Sequence, residues 1–390
     1  MQTTLTELTQ KKDLFSLPSE VTYLNCSYMA PLLKSVEEAG IIGLRKKQLP
    51  TQYSHYEFFE EVDHVRKLFS QLTNIDDYQR VAILPAVSYG MAIVAKNLRI
   101  HSGNNIVVAG EQFPSNVYSW RKKVAEANAE LRTIAAPETF ESRGEQWNEK
   151  LLEAIDNQTC MVAIAHTHWA DGTRFNLKAL RKRTREVGAL LVVDGTQSVG
   201  SMPFDVAEIQ PDALICAGYK CLMGPYGITL GYFSEYFDQG NPLEEGWVTR
   251  NHSEDFSNLV NYQDQYQTKA IRYDMGERSN FILIPMMGKA LEVVLEWQPE
   301  QIQKYCRSIS MTAIKKLSAL GFWVEKESYR GHHLFGVRIP EKLSLDKLQN
   351  TLEQAKIVVS VRGRSMRVSP HVYNEEQDLN RLVACLQNLL

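Results

Sequence analysis

The chain has 390 residues, 44% of them hydrophobic, a length that predicts about two domains of ~100–200 residues each with a real core. Charged residues at 23%, 22 Gly and 14 Pro exclude a collagen-like or largely disordered chain. A net charge of −3 without a long basic run gives no electrostatic reason to bind nucleic acid.

Residues 1–20 begin polar (MQTTLTELTQKKD), carry no apolar core of a signal peptide, and are expected to pack as an arm on the small domain. From residue 80 onwards, strand and helix alternate. Arg80–Leu84 is a strand, followed by a Ser-Tyr-Gly turn and a helical pattern over Met91–Leu98. Asn105–Ala109 is a strand and Asn116–Ala127 an amphipathic helix. Cys160–His166 is a strand and Leu177–Val187 a helix, so the basic run Lys178–Arg185 reads as a solvated helix face. Ala189–Asp194 and Ala213–Ala217 are two more strands. Continuous apolar runs separated by helices predict a parallel sheet buried on both faces, with ligands at the carboxyl ends of its strands.

The character changes after about residue 260. Ile282–Trp297 is a long helix suited to bridging two domains, and Pro299–Leu320 is a second one. Strands follow at Gly321–Glu325, His333–Arg338, Ile357–Arg362 and Met366–Ser369, with a helix at Ser344–Ala355 and a last helix at Glu375–Leu390. The expected division is therefore an arm over 1–20, a large α/β domain over 21–265, and a bridging helix with a small α+β domain over 266–390. No apolar run reaches the ~18 residues of a membrane-spanning helix. The six cysteines are scattered without a CxxC pair, which predicts reduced thiols in a cytoplasmic protein. The nine histidines lack metal spacing, although His166 and His168 would share a face if they lay on a strand.

Two positions carry chemistry. Asp194 ends a buried apolar strand in VVDGTQS, where a charge is costly unless paired; alone, it reads as a helix cap. Lys220, 26 residues later in AGYKCLMGPYG, directly follows a second strand and sits in Gly-rich loop sequence. An amine and an acid at neighbouring strand ends suit the two ends of pyridoxal phosphate, which needs a lysine for its Schiff base and a carboxylate to keep its ring nitrogen protonated.

The segments ALLVVDGTQSVGSMPFDV and PDALICAGYKCLMGPYGITLGYF resemble the class V aminotransferase family of fold type I pyridoxal-phosphate enzymes. So do TYLNCSYMAPL near residue 22 and RVSPHVYNEEQDLNRL near the end. That family includes cysteine desulfurases, kynureninases and isopenicillin N epimerases. The resemblance implies a seven-stranded, mostly parallel sheet flanked by helices, with a smaller C-terminal domain. Lys220 matches the Schiff-base lysine, Asp194 the pyridinium partner and Gln197 the partner of the phenolic oxygen. Ser88, Tyr89 and Gly90 match the phosphate turn, where a helix N-terminus offers free N–H donors. Tyr219 resembles the kynureninase tyrosine that reaches the phosphate, and Phe113 holds the position of the ring that stacks on the cofactor. Ser279 and Asn280 match a segment that reaches the neighbouring subunit's phosphate, which implies a homodimer. Arg367 matches the arginine that binds the substrate α-carboxylate, a task suited to a bidentate guanidinium.

Some residues depart from the pattern. The stretch VVSVRGRSMRVSP is short and lacks the loop cysteine of persulfide-forming desulfurases. Trp169 stands where many relatives place Asn; it either narrows the substrate pocket or packs under the cofactor. His168 is a candidate proton carrier. Arg362 and Arg364 are either solvated or read a second anionic group. The sequence therefore points to a pyridoxal-phosphate enzyme acting on a small amino acid, foremost an aminotransferase or an isopenicillin N epimerase-like enzyme. The alternatives are a β-lyase (a carbon–sulfur lyase, a selenocysteine or cysteine lyase, or a kynureninase-like hydrolase) without a persulfide-forming cysteine, and a non-catalytic protein that kept the fold.

Overall fold

The computed structural model describes residues 7–390. The chain opens with a short strand, β1 (Thr22–Tyr23), and two helices, α1 (Lys34–Lys46) and α2 (Glu60–Thr73). The alternating region follows: β2 (Val81–Leu84), α3 (Val87–Asn97), β3 (Asn105–Ala109), α4 (Tyr118–Ala127), β4 (Glu130–Ile134), α5 (Arg143–Glu153), β5 (Thr159–Ala165), α6 (Leu177–Val187), β6 (Leu190–Asp194), the single turn α7 (Val206–Ile209), β7 (Ala213–Ala217) and β8 (Thr229–Phe233). These strands form one seven-stranded sheet in the order β2-β8-β7-β6-β5-β3-β4. Strands β3 to β7 pair in parallel, whereas β8 runs antiparallel to β2 and β7. β2, β3, β6 and β7 are apolar and almost wholly buried, as a sheet covered on both faces requires. One hydrophobic cluster fills each face.

The five apolar runs of the sequence all become strands of this sheet. β4 (ELRTI) and β8 (TLGYF) carry no comparable signal. β4 pairs only with β3 at the sheet edge, so it needs no apolar run. α3 begins at Val87 rather than Met91, because Ala86 is the last extended residue and Tyr89 N already bonds to Ala86 O. Ser88, Tyr89 and Gly90 are therefore first-turn residues. α4 begins at Tyr118, since Pro114–Asn116 forms a separate 3-10 turn. The basic face of α6 lies against acids, with Lys178 on Glu208 and Arg181 on Asp212.

α8 (Leu283–Trp297) packs on α1, α2 and α9 (Pro299–Ala319). Beyond it lie β9 (Trp323–Val324), β10 (Phe335–Arg338), α10 (Leu345–Gln354), β11 (Ile357–Val358), β12 (Ser360–Arg362), β13 (Ser365–Val368) and α11 (Glu376–Gln387). An antiparallel sheet, β12-β13-β10-β9, shares a second core with α9, α10 and α11. The run expected as one strand over Ile357–Arg362 is two: β11 pairs in parallel with β1, and β12 pairs with β13. The start of the chain past residue 20 thus lies with the small unit, where Cys26 N also bonds to Ser369 O.

Of the expected arm, residues 1–6 lie outside the described residues. The rest reaches the C-terminal segment: Lys11 N bonds to Val372 O at 2.7 Å, and the Phe15 ring meets Tyr373 edge-on. Among the described residues no helix is long and apolar enough to cross a membrane, and no cluster of His, Cys, Asp or Glu is arranged to hold a metal.

Candidate active site

The carboxyl ends of β5, β6 and β7 open onto a cavity of about 250 Å³. Asp194 is the last residue of β6, and Lys220 stands three residues beyond β7. Ser88, Phe113, His168, Trp169, Gln197 and Tyr219 line the same cavity. Parallel crossovers place all these loops on one edge of the sheet, which is why residues so far apart in the chain meet.

Asp194 is buried, and its Oδ1 accepts the Thr196 N–H at 3.0 Å. Burial pushes its carboxyl up, against the hydrogen bonds of Thr196. It has no ion-pair partner among the described residues. Lys220 is equally buried, and burial pulls its amine down to about 8, with Asp194 opposing and Arg367 reinforcing. Its Nζ stands 5.5 Å from the Phe113 ring centre and 5.4 Å from that of Tyr219. An amine that loses its proton near neutrality is a ready nucleophile towards an aldehyde.

The first turn of α3 has no side-chain cap, and among the described residues the Val87 and Ser88 amides find no hydrogen-bond acceptor. Ala86, Val87 and Ser88 line the cavity. Tyr89 does not: its hydroxyl donates to Glu244. Gly90 acts by its size, because a Cβ there would lie 2.9 Å from the Ile215 side chain on β7. Of the three residues, Ser88 is the one that faces the cavity.

Gln197 donates from Nε2 to Ser27 O at 3.0 Å, and its Oε1 is buried without a partner. His333 holds the backbone beneath it, with Nε2 2.7 Å from Gln197 O and Nδ1 2.8 Å from Gln303 Nε2. Glu111, at φ 53°, aims its carbonyl at two rings: it accepts from Trp169 Nε1 at 2.7 Å and lies 3.1 Å from His168 Nε2. That hook sets Trp169 edge-on to Phe113 with centroids 5.4 Å apart. His168 Nδ1 meets Asp171 at 3.1 Å, so acceptors hold both of its ring nitrogens. His166 lies past the end of β5, where strand alternation no longer applies. It packs against Phe204, and burial pulls it down to about 3.

A second cleft adjoins the first and shares Phe113, Trp169, Tyr219, Lys220 and Tyr226 with it. Arg367 and Arg362 enter from the small unit. Arg367 is 2% exposed. It donates to Trp169 O at 2.7 Å, its Nε is buried without a partner, and no acid pairs with it among the described residues. Burial pulls it down to about 10, and Arg362 adds to the effect. Arg364 is elsewhere. It donates to Ile339 O and Leu343 O, bracing the loop before α10. Gly363, at φ 55°, turns the chain between β12 and β13, so strand alternation does not carry Arg362 and Arg364 to one face. Ser279 and Asn280 lie outside both clefts. The Ser279 hydroxyl donates to Phe58 O at 2.6 Å, and Asn280 Oδ1 caps the start of α8.

Sequence reasoning assigned no role to Thr196, which fixes Asp194, to Tyr226, whose ring packs on Tyr219 with centroids 4.6 Å apart, or to Tyr28 and Met29 at the second cleft. Their only signal is that they lie within or beside the motifs quoted above.

The donor set fits pyridoxal phosphate. An amine pulled towards neutrality, a buried carboxylate without a cation, an uncapped helix start and an orphaned Gln197 oxygen face one cavity. The model of the class V aminotransferase family matches residues 51–382. The chain is similar to "Uncharacterized aminotransferase YcbU" of Bacillus subtilis, 24% identical over 84% of this chain and 83% of that protein. It is also similar to a cysteine desulfurase of Escherichia coli, 27% identical over 67% of this chain, a match that spans 63% of the desulfurase's own length. Among solved structures, the cystine C–S lyase C-DES in complex with cysteine persulfide superposes with a TM-score of 0.85 at 19% identity, covering 95% of this chain and 98% of that one. The cysteine desulfurase CsdA of Escherichia coli gives 0.80 at 18%, covering 97% of each.

Proposed function

Since this chain belongs to the class V aminotransferase family and is a pyridoxal-phosphate enzyme, we propose that it acts on a small amino acid through Lys220, foremost as an aminotransferase. The observation that carries this reading is Arg367: a buried guanidinium with no acid, in a cleft that shares Lys220 with the cofactor cavity. A buried unpaired charge costs several kcal/mol, which a substrate α-carboxylate would offset.

When bound, the cofactor supplies an electron sink for a pair of electrons left at the substrate Cα. The residues do the rest. Asp194 would accept a hydrogen bond from the protonated ring nitrogen. Ser88 and the free amides of α3 would take the phosphate, and Gln197 would serve the phenolic oxygen. Phe113 would cover the ring, with Tyr219 bordering the cavity beside it. Arg367 holds the carboxylate, and Lys220 Nζ carries the proton to and from Cα. Trp169 narrows the space between Phe113 and Arg367, and His168 positions it through the shared contact with Glu111.

The second reading is a β-lyase that releases its product without a protein persulfide. It is favoured over a desulfurase by the β12–β13 turn, which is short and holds no cysteine. The nearest thiol in sequence to Lys220, Cys221, is buried and pushed up to about 11. A panel of amino acids on the loaded protein separates the readings. Transamination leaves the amine form of the cofactor and a keto acid, whereas elimination gives pyruvate and ammonia together with the cofactor unchanged. No product from any amino acid would leave the non-catalytic reading.

A homodimer is part of this proposal, with Ser279 and Asn280 near the neighbouring subunit's phosphate. Large apolar side chains exposed at Tyr226, Trp247, Val260 and Tyr262 support it; sedimentation as a monomer at micromolar concentration would oppose it. Six free cysteines fit a reducing, cytoplasmic compartment.

A further inference from the structure

Arg362 and Arg367 belong to the same hairpin. In the β12–β13 register, Arg362 faces Ser365 and Arg367 faces Ser360. Directly opposed residues point to the same side of a sheet, and so do residues two apart on one strand. Arg362 and Arg367 are therefore diagonal neighbours on one face, a relation that sets Cα atoms about 7–8 Å apart. Between them stand only two serines, which leaves the space open to long side chains.

Both guanidinium groups lie against Trp169. Arg367 donates to its carbonyl, and Arg362 lies 5.5 Å from the ring centre. Among the described residues Arg362 makes one side-chain hydrogen bond, to its own neighbour Val361 O. Neither arginine has an acid within ion-pair distance among the described residues, and both line the cleft that shares Lys220. The remaining walls are Ser27, Tyr28, Met29, Phe113, Tyr219 and Tyr226, none of them acidic. One substrate α-carboxylate balances one guanidinium and leaves the other cation without a counter-charge.

We propose that the substrate is an amino acid with a second anionic group on a short side chain, Arg367 taking the α-carboxylate and Arg362 the distal anion. This rests on the reading of the cleft as an amino-acid site beside Lys220. Planar guanidinium groups suit carboxylates and sulfinates alike. Trp169, holding the Arg362 guanidinium against its ring face, fixes the span between the two cations. Arg364, spent on the loop at 339–343, takes no part.

The test uses the loaded, full-length protein and matched pairs: aspartate against asparagine, glutamate against glutamine, cysteine sulfinate against cysteine. Binding is read as the concentration that half-shifts the visible absorbance of the lysine-bound cofactor, turnover as kcat/KM. The expected result is a preference of about 10- to 100-fold for the acidic member of at least one pair, the size of one charge-assisted contact. In Arg362→Gln that ratio falls towards one. Arg362→Lys, which keeps the charge and loses the fork, restores part of it and controls for misfolding. Equal or better binding of the neutral members, or a ratio that Arg362→Gln leaves intact, overturns the proposal. A loaded protein with no Lys220-dependent absorbance overturns the underlying reading as well, and so distinguishes the two failures.

Discussion

Two arginines are equally buried in this molecule and differ in what surrounds them. Arg66 on α2 is 1% exposed; it pairs with Asp63 and with the fully buried Asp274, and donates to Val81 O at 2.9 Å. Asp274 in turn pairs with Arg278 and accepts the Ile83 N–H at 2.8 Å. Every charge in that cluster has a partner, and the cluster ties α2 and the segment before α8 to the edge of the sheet. Arg367 is 2% exposed and has only a carbonyl and a distant hydroxyl. A protein that satisfies one buried guanidinium so fully and leaves another without an anion marks the second as a place where the anion arrives from outside.

The sharpest way to break the comparison is at Arg66. Arg66→Ala takes from the buried Asp274 one of its two guanidinium partners and leaves it Arg278 alone, and chemical denaturation should show a loss of about 3 kcal/mol, the lower end of the cost of breaking a buried pair from one side. Arg367→Met should behave in the opposite sense. We expect kcat/KM to fall about 100-fold, ~2.7 kcal/mol of transition-state stabilisation, while the folded state loses less than about 1 kcal/mol because no paired acid is stranded. If Arg367→Met unfolds the protein as readily as Arg66→Ala does, the guanidinium is structural and the comparison fails.

A smaller effect sharpens the same contrast. The Lys220 amine sits near 8 because of burial first, with Arg367 adding to the lowering. Only its neutral form attacks an aldehyde, so the rate of cofactor capture by the cofactor-free protein should rise with pH through about 8 and level off above. Taking away the Arg367 cation should move that midpoint upward, since a neighbouring positive charge favours the neutral amine. Stopped-flow capture across a pH series, in wild type and Arg367→Met, measures both. An unshifted midpoint would show that the two cations do not sense each other.

Much of this was legible in the chain, and the parts that were not have physical reasons. Asp194 and Lys220 stand out because a charge at the end of an apolar strand needs an explanation. The interior parallel strands read clearly because burial on both faces demands unbroken apolar runs, whereas β4 at the edge and the antiparallel β8 are under no such demand. Local pattern also misled. The Ser-Tyr-Gly segment looked like a turn and is the first turn of α3, so only Ser88 faces the cavity. Strand alternation suggested His166 beside His168 and Arg362 beside Arg364, but β5 ends before His166 and the chain turns at Gly363 between the two arginines. The partner of Ser279, the distant Phe58 carbonyl, comes from tertiary packing and leaves no trace in its own segment, whereas Asn280 turns its oxygen to the amides two and three residues on. Nor does a sequence show that an arginine lacks an acid, and that is the feature on which the substrate proposal rests.

The central claim is that Lys220, and no other amine, holds the cofactor at this site. Reduction of the loaded protein with borohydride, proteolysis and mass mapping test it most directly. The account predicts a reduced cofactor adduct on the peptide that contains Lys220, and none in Lys220→Ala. An adduct spread over surface lysines, or one that persists in Lys220→Ala, would contradict it.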